Sequence, residues 1–120
     1  MTKESNFDEK FKALGEFYQI DSPGEVRDFL RNNEGIFVLL DEVKPYLKES
    51  FLNDNYNLEM VYDPECEDEN HLVLRIYVSR ERFNNGVRDD IEHVREKLRP
   101  YRRKYRVLSE FAVRAGVINV

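Results

Sequence analysis

Tryptophan is absent from this 120-residue chain, which holds a single cysteine, Cys66. One thiol cannot close an internal disulfide, so the framework that supports many small secreted domains is excluded. Without tryptophan, the bulky core side chains must come from the eight phenylalanines and seven tyrosines. Long apolar runs are also missing. The longest, Ile36 to Leu40, is far short of the roughly 20 residues that a membrane-spanning helix needs. The opening residues Thr2, Lys3, Glu4, Ser5 and Asn6 do not read as an apolar signal segment, and a cytoplasmic protein without membrane attachment is expected. No Walker glycine loop, dinucleotide fingerprint, Gly-x-Ser-x-Gly elbow or His-Glu-x-x-His pair occurs. The enzyme classes that advertise themselves in sequence are thereby set aside, with no catalytic residue and no cofactor expected.

What is present is charge. Apolar residues make up 41% of the chain and charged residues 36%, with a mean hydropathy of −0.70 and a net charge of −5. That composition supports one folded domain over residues 1–120 with a small, aromatic-rich core and a large solvated surface. The net value conceals a polarity. Residues 1–70 carry 7 basic and 18 acidic side chains, a net of −11, whereas residues 71–120 carry 12 basic and 6 acidic ones, a net of +6. Such halves attract each other within a domain or across a homodimer, or else face different partners.

Hydrophobic periodicity supplies the elements. Phe7, Phe11, Leu14 and Phe17 or Tyr18 share one helical face, with Ser5 or Asn6 as a cap and Gly15 weakening the helix by about 1 kcal/mol. Ser22-Pro23-Gly24-Glu25 reads as a capping box with proline in the first turn. The helix it starts turns Val26, Phe29 and Leu30 inward and stops at Asn32-Asn33-Glu34-Gly35. Ile36, Leu39, Leu40, Val43, Leu47 and Phe51 continue at helical spacing, with a kink or break at Pro45. After the turn residues Asn53-Asp54-Asn55, the period changes to two. Leu58, Met60 and Tyr62, then Leu72, Leu74, Ile76 and Val78, describe two strands of an antiparallel hairpin whose Arg75 and Tyr77 face outward.

Asn84-Asn85-Gly86 is a turn, and Val87, Ile91, Val94 and Leu98 mark a long basic helix that Pro100 can bend. Residues 107–120 fit either a helix or a strand, and a third strand is the preferred reading. The expected class is α+β: N-terminal helices packed on a small antiparallel sheet around a central β-hairpin, followed by the basic helix and that third strand. The succession of Ser22-Pro23-Gly24-Glu25-Val26, Phe29-Leu30, a leucine-rich helix, and the strands Leu58 to Pro64 and Leu72 to Val78 around an acidic loop resembles a group of small uncharacterised prokaryotic α+β proteins. The resemblance implies a prokaryotic cytoplasmic setting and no particular activity.

Three constellations bear on chemistry. The loop from Asp63 to His71 gathers five carboxylates, Cys66 and an imidazole. It lacks the glycine that an EF-hand loop turns on and the extra thiolate or histidine pair that zinc requires, so a solvated tip is expected rather than a metal site. Four nearby carboxylates would raise the pKa of Cys66 and oppose a thiolate paired with His71, so a nucleophilic cysteine is not expected. Asp89 and Asp90, at a helix start, favour the helix dipole without any catalytic role. The strip Lys97, Arg99, Arg102, Arg103, Lys104 and Arg106, interleaved with Tyr101 and Tyr105, contains no acid. The sequence therefore points to a non-enzymatic protein-interaction or regulatory protein, with another protein or a second copy as partner. Binding residues are expected at Arg99, Tyr101, Arg102, Arg103, Tyr105 and Arg106. The alternative is a nucleic-acid-binding module in which the cations of segment 97–106 neutralise phosphates and the tyrosines stack on bases. An enzyme stands third and would need a cleft joining His71 or His93 to carboxylates from another element.

Overall fold

The two alternating runs pair as the sequence predicts. In the computed structural model, which describes residues 3–51, 54–62, 70–107 and 111–118, β2 (Asn55–Val61) and β3 (His71–Val78) form an antiparallel pair with Leu58 opposite Leu74. The preferred reading of the last segment also holds, since β4 (Phe111–Val117) is a strand. It lies beside β3 in parallel register, with Leu72 opposite Phe111 and Leu74 opposite Val113. A parallel neighbour requires a crossover. It is supplied by the short helix α5 (Arg80–Asn84) and the basic helix α6 (Val87–Tyr105).

A second crossover precedes the hairpin. Helix α1 (Lys3–Phe17) leads into a two-residue strand β1 (Gln19–Ile20). Three helices then follow before β2: α2 (Pro23–Arg31), α3 (Glu34–Glu42) and α4 (Lys44–Ser50). β1 pairs with β2 in parallel, so the sheet order is β1-β2-β3-β4. The sheet is thus mixed rather than wholly antiparallel. Alternation alone marks a strand without its direction, and β1 is too short to show a period.

Strand alternation sorts the sheet into two faces. Leu58, Leu72, Leu74, Ile76, Val78, Phe111 and Val113 are buried in one cluster with Leu30, Leu39, Leu40, Leu47, Val94 and Leu98 of the helices. The alternate residues Asn57, Glu59, Arg75, Tyr77 and Arg114 lie on the opposite face, half-buried or exposed, with Val73 buried among them. Helices cover one face and leave the other open, as expected for Arg75 and Tyr77.

Several local signals act differently from their sequence reading. Ser22 precedes α2 with φ 49° and makes no side-chain cap bond, so the capping box is not formed and the backbone turn itself delivers the chain into Pro23. Asn6 lies inside α1, which begins by Lys3, and so does not cap it. Gly35 is inside α3 rather than a helix stop, and α2 ends at Arg31. A β-carbon at position 35 would come within 2.9 Å of the Tyr105 carbonyl oxygen, so glycine there lets the end of α6 approach α3. Pro45 acts as expected: the helical run breaks at Val43 and restarts with proline in the first turn of α4.

Buried hydroxyls complete the helical layer. Tyr18, 1% exposed, donates to the Leu40 carbonyl at 2.6 Å and ties the end of α1 to α3. Tyr56 donates to Phe51 and sits in a stack with Phe17, ring centroids 5.1 Å apart. Burial, then the nearby Asp41 charge, raises the Tyr18 pKa well above the usual phenol value. The folded state therefore holds this proton more tightly than the unfolded chain. Stability from this group is complete below the unfolded pKa of about 10 and falls as pH rises above it. Tyr18→Phe is expected to cost about 1–3 kcal/mol at neutral pH, because the Leu40 carbonyl loses its donor in the core. Thermal melts across alkaline pH should show a shallower loss of stability in the variant than in the wild type.

Candidate functional site

The arginines of α6 are spaced to lie together. Arg88, Arg95, Arg99 and Arg102 follow at intervals of seven, four and three, which keeps them on one helical stripe. That stripe runs beside β4, an edge strand. Ile118 donates its N–H to the Val78 carbonyl at 2.9 Å, and in a parallel ladder the bonding side alternates with each residue. The carbonyls of Phe111 and Val113 therefore point away from β3, toward the unpaired edge. Arg95 donates to the Val113 oxygen through Nη2 at 2.7 Å and Nε at 3.2 Å, while its Nη1 bonds Glu92 at 2.6 Å. Arg102 donates to the Phe111 oxygen at 2.8 Å and places its guanidinium 5.4 Å from the Phe111 ring centroid. Two edge acceptors are thus closed by side chains of the helix that crosses over to this strand.

Between this stripe and the open sheet face runs a groove. One section, about 610 Å³, takes its walls from Phe83 of α5, from Val87, Arg88 and Ile91 of α6, and from Val73 and Arg114 of the sheet. Arg75, His71 and Val61 continue the sheet wall, and Glu92 stands among them. A second section shares Arg95 and Arg114 with the first and adds Arg99 and Arg102. Six arginines and one carboxylate line the two sections among the described residues. Three of the six are engaged within the fold: Arg95 and Arg102 as described, and Arg75 at 3.5 Å from Glu59. Arg88, Arg99 and Arg114 are exposed.

Beside the groove, the open face carries a fixed polar cluster. Tyr77 donates to Glu59 at 2.8 Å, and burial first, then this bond, raises its pKa. Its ring lies across Gly116, where a β-carbon would come within 2.9 Å of it. Small residues at Ala112, Ala115 and Gly116 keep β4 thin at this edge.

The strip expected from sequence divides among four places. Arg99 and Arg102 line the groove. Arg103 is exposed, while Arg106, at φ 56°, ends α6 and lines a crevice against Asn33 and Gly35 of the α3 end. Tyr101 and Tyr105 are partly buried against the core. Tyr101 shares a hydrogen bond with Tyr46, which is the main cause of its raised pKa, and Tyr105 packs at Gly35. Both tyrosines thus join α6 to the helices of the first half. His71 lines the groove, whereas His93 stands 3.9 Å from Glu49 of α4, so the two histidines belong to different surfaces. Residues 63–69 of the acidic loop, Cys66 included, lie outside the described residues. Among the described residues no group of three metal-ligating side chains occurs, and no helix is long and apolar enough to cross a membrane.

Arg88, Arg95 and Arg114 are the groove arginines that sequence reasoning passes over, because attention goes to the densest run of charge. The signal that reveals the first two is the seven-residue step from Arg88 to Arg95 in phase with Arg99. Arg114 is isolated in sequence and becomes visible only through the β3–β4 register. Compared with known proteins, the chain matches no family model, no curated protein and no solved structure.

The edge closure is testable apart from any ligand. Arg95→Met keeps the aliphatic stem but removes three donated bonds. It should lower stability by about 1 kcal/mol, the net worth of such bonds where water can partly replace them. It should also promote concentration-dependent self-association, measured by sedimentation velocity. An unchanged melting temperature together with an unchanged sedimentation profile would show that the β4 edge needs no such cover.

Proposed function

We propose that this is a non-enzymatic, cytoplasmic protein-interaction module whose working surface is the arginine-lined groove between α6 and β4. The observation that carries the reading is the sign reversal: among the described residues, six arginines and one carboxylate line a groove on a chain of net charge −5. Guanidinium groups present planar, forked donors suited to carboxylate and phosphate oxygens. Arg95 and Arg102 are held by backbone carbonyls and give the site a rigid basic wall, while Arg88, Arg99 and Arg114 supply the contacts that an anionic partner makes. The local field steers an acidic surface into the groove, and the remaining acidic surface turns other anions away.

Nucleic acid is the second reading, favoured by the arginine content of the groove. It loses support from Tyr101 and Tyr105, whose partial burial against the core reduces the stacking surface it relies on.

The test is affinity co-purification of the tagged protein from its native cells at moderate salt, with and without nuclease. The wild type is run beside Arg99→Glu with Arg114→Glu, two exposed positions at which the fold should tolerate the change. A protein partner that survives nuclease and falls by about tenfold in the variant is expected, a loss equal to about 1.4 kcal/mol. Recovery of the same partner by the folded variant would remove the groove from the interaction. A partner lost on nuclease treatment would transfer the groove to nucleic acid.

A further inference from the structure

The groove is not uniformly polar. Its floor includes Val87 and Ile91, both of which retain slight exposure, and it is flanked by Phe83, which is 40% exposed. Of the cations with exposed side chains, Arg88 and Arg114 line the same section as that floor, and Arg99 lines the adjoining section. Apolar floor and basic rim are different requirements, and one ligand must meet both. An extended peptide does so, because successive side chains point in opposite directions and repeat on each side about every 6.6 Å. From Arg88 to Arg99, α6 rises by about 16 Å, a length spanned by about five residues of extended chain.

Resting on the groove reading above, we infer that its ligand is an extended acidic segment of another protein in which acidic and apolar residues alternate. The segment lies along β4 with its apolar side chains on Phe83, Val87 and Ile91. Its carboxylates meet Arg88, Arg99 and Arg114. It does not extend the sheet along this stretch, since the outward carbonyls of Phe111 and Val113 already accept from Arg102 and Arg95. Binding is therefore through side chains and is specific to the alternation, not to backbone pairing. A nucleic acid strand fits less well. Three arginines neutralise about three phosphates, giving a salt dependence on the order of −2 in log–log slope for a single strand, and the apolar floor gains nothing from a sugar-phosphate chain.

Fluorescence anisotropy with four labelled probes of equal length tests the inference. The probes are an alternating Glu-Val peptide, an all-Glu peptide, an alternating Lys-Val peptide and a single-stranded oligothymidylate. The Glu-Val peptide is expected to bind at least about tenfold more tightly than each of the others, since it alone engages both floor and rim. Arg88→Glu with Arg114→Glu should weaken it by about tenfold or more, and Phe83→Ser by about fivefold, from lost apolar contact alone. All-Glu or oligothymidylate binding as tightly as Glu-Val would overturn the alternating-peptide assignment and leave the basic groove standing. Binding of every probe unaffected by the double arginine reversal would overturn both. Failure of all four probes to bind the wild type would overturn the assignment.

Discussion

The sheet needs one face covered and its β4 edge closed, and the packing of α6 meets both needs. On its inner side, Ile91, Val94 and Leu98 enter the same core as Leu74 and Val113. On its flank, Arg95 and Arg102 reach the outward carbonyls of β4. A strand edge left bare offers unpaired amides and carbonyls to other chains, and closing it with charged side chains removes that template without adding a further strand. The helix must therefore be long, basic on one flank and pressed against β4. Much of the rest follows from holding it there. Gly35 admits Tyr105, Tyr46 bonds Tyr101, and Arg82 of α5 bonds Asp90 at 3.0 Å near the start of α6 while standing 3.3 Å from Asp54.

The same arrangement explains why a basic strip is not automatically a binding strip. Of the cations between residues 97 and 106, Arg102 is bonded to backbone, Arg106 forms the helix end, and Arg103 lies away from the groove. Charge placed near a helix C-terminus already interacts favourably with the helix dipole, so its density in sequence overstates what a partner can use. The usable cations are those whose side chains have both exposure and a wall to stand on. Arg114 qualifies because β4 places it beside Arg75 in the register of the sheet, on the uncovered face.

How much of this was legible beforehand depended on the range of the interaction. The alternation Leu72, Leu74, Ile76, Val78 and the helical run Val87, Ile91, Val94, Leu98 are local patterns enforced by burial of one face, and each reappears as an element with those residues buried. Pro45 was legible because its ring acts on its own helix turn. The hydroxyl of Ser22 and the backbone freedom of Gly35 were misread because their partners are decided elsewhere: Ser22 takes a left-handed backbone, and Gly35 answers to Tyr105 seventy residues on. β1, two residues long, carries too little pattern to be seen. The groove was half legible for the same reason, since the α6 stripe is periodic but Arg114 and Val73 join it only through strand pairing.

Strand connectivity has a consequence in time. The β2–β3 pair joins residues near in sequence, with Val61 opposite His71 at its closed end. The two parallel pairs must instead bring Ile20 to Leu58 and Leu72 to Phe111, each across intervening helices. Loop closure of that kind is slow relative to hairpin formation. The hairpin and the helices can therefore assemble while β4 is still undocked, and the arginine-capped edge is completed late, when α6 swings its strand into place. During that interval the exposed flank belongs to β3, the most apolar strand of the sheet, so the rate of α6 docking sets how long a newly made chain offers an adhesive edge to its neighbours.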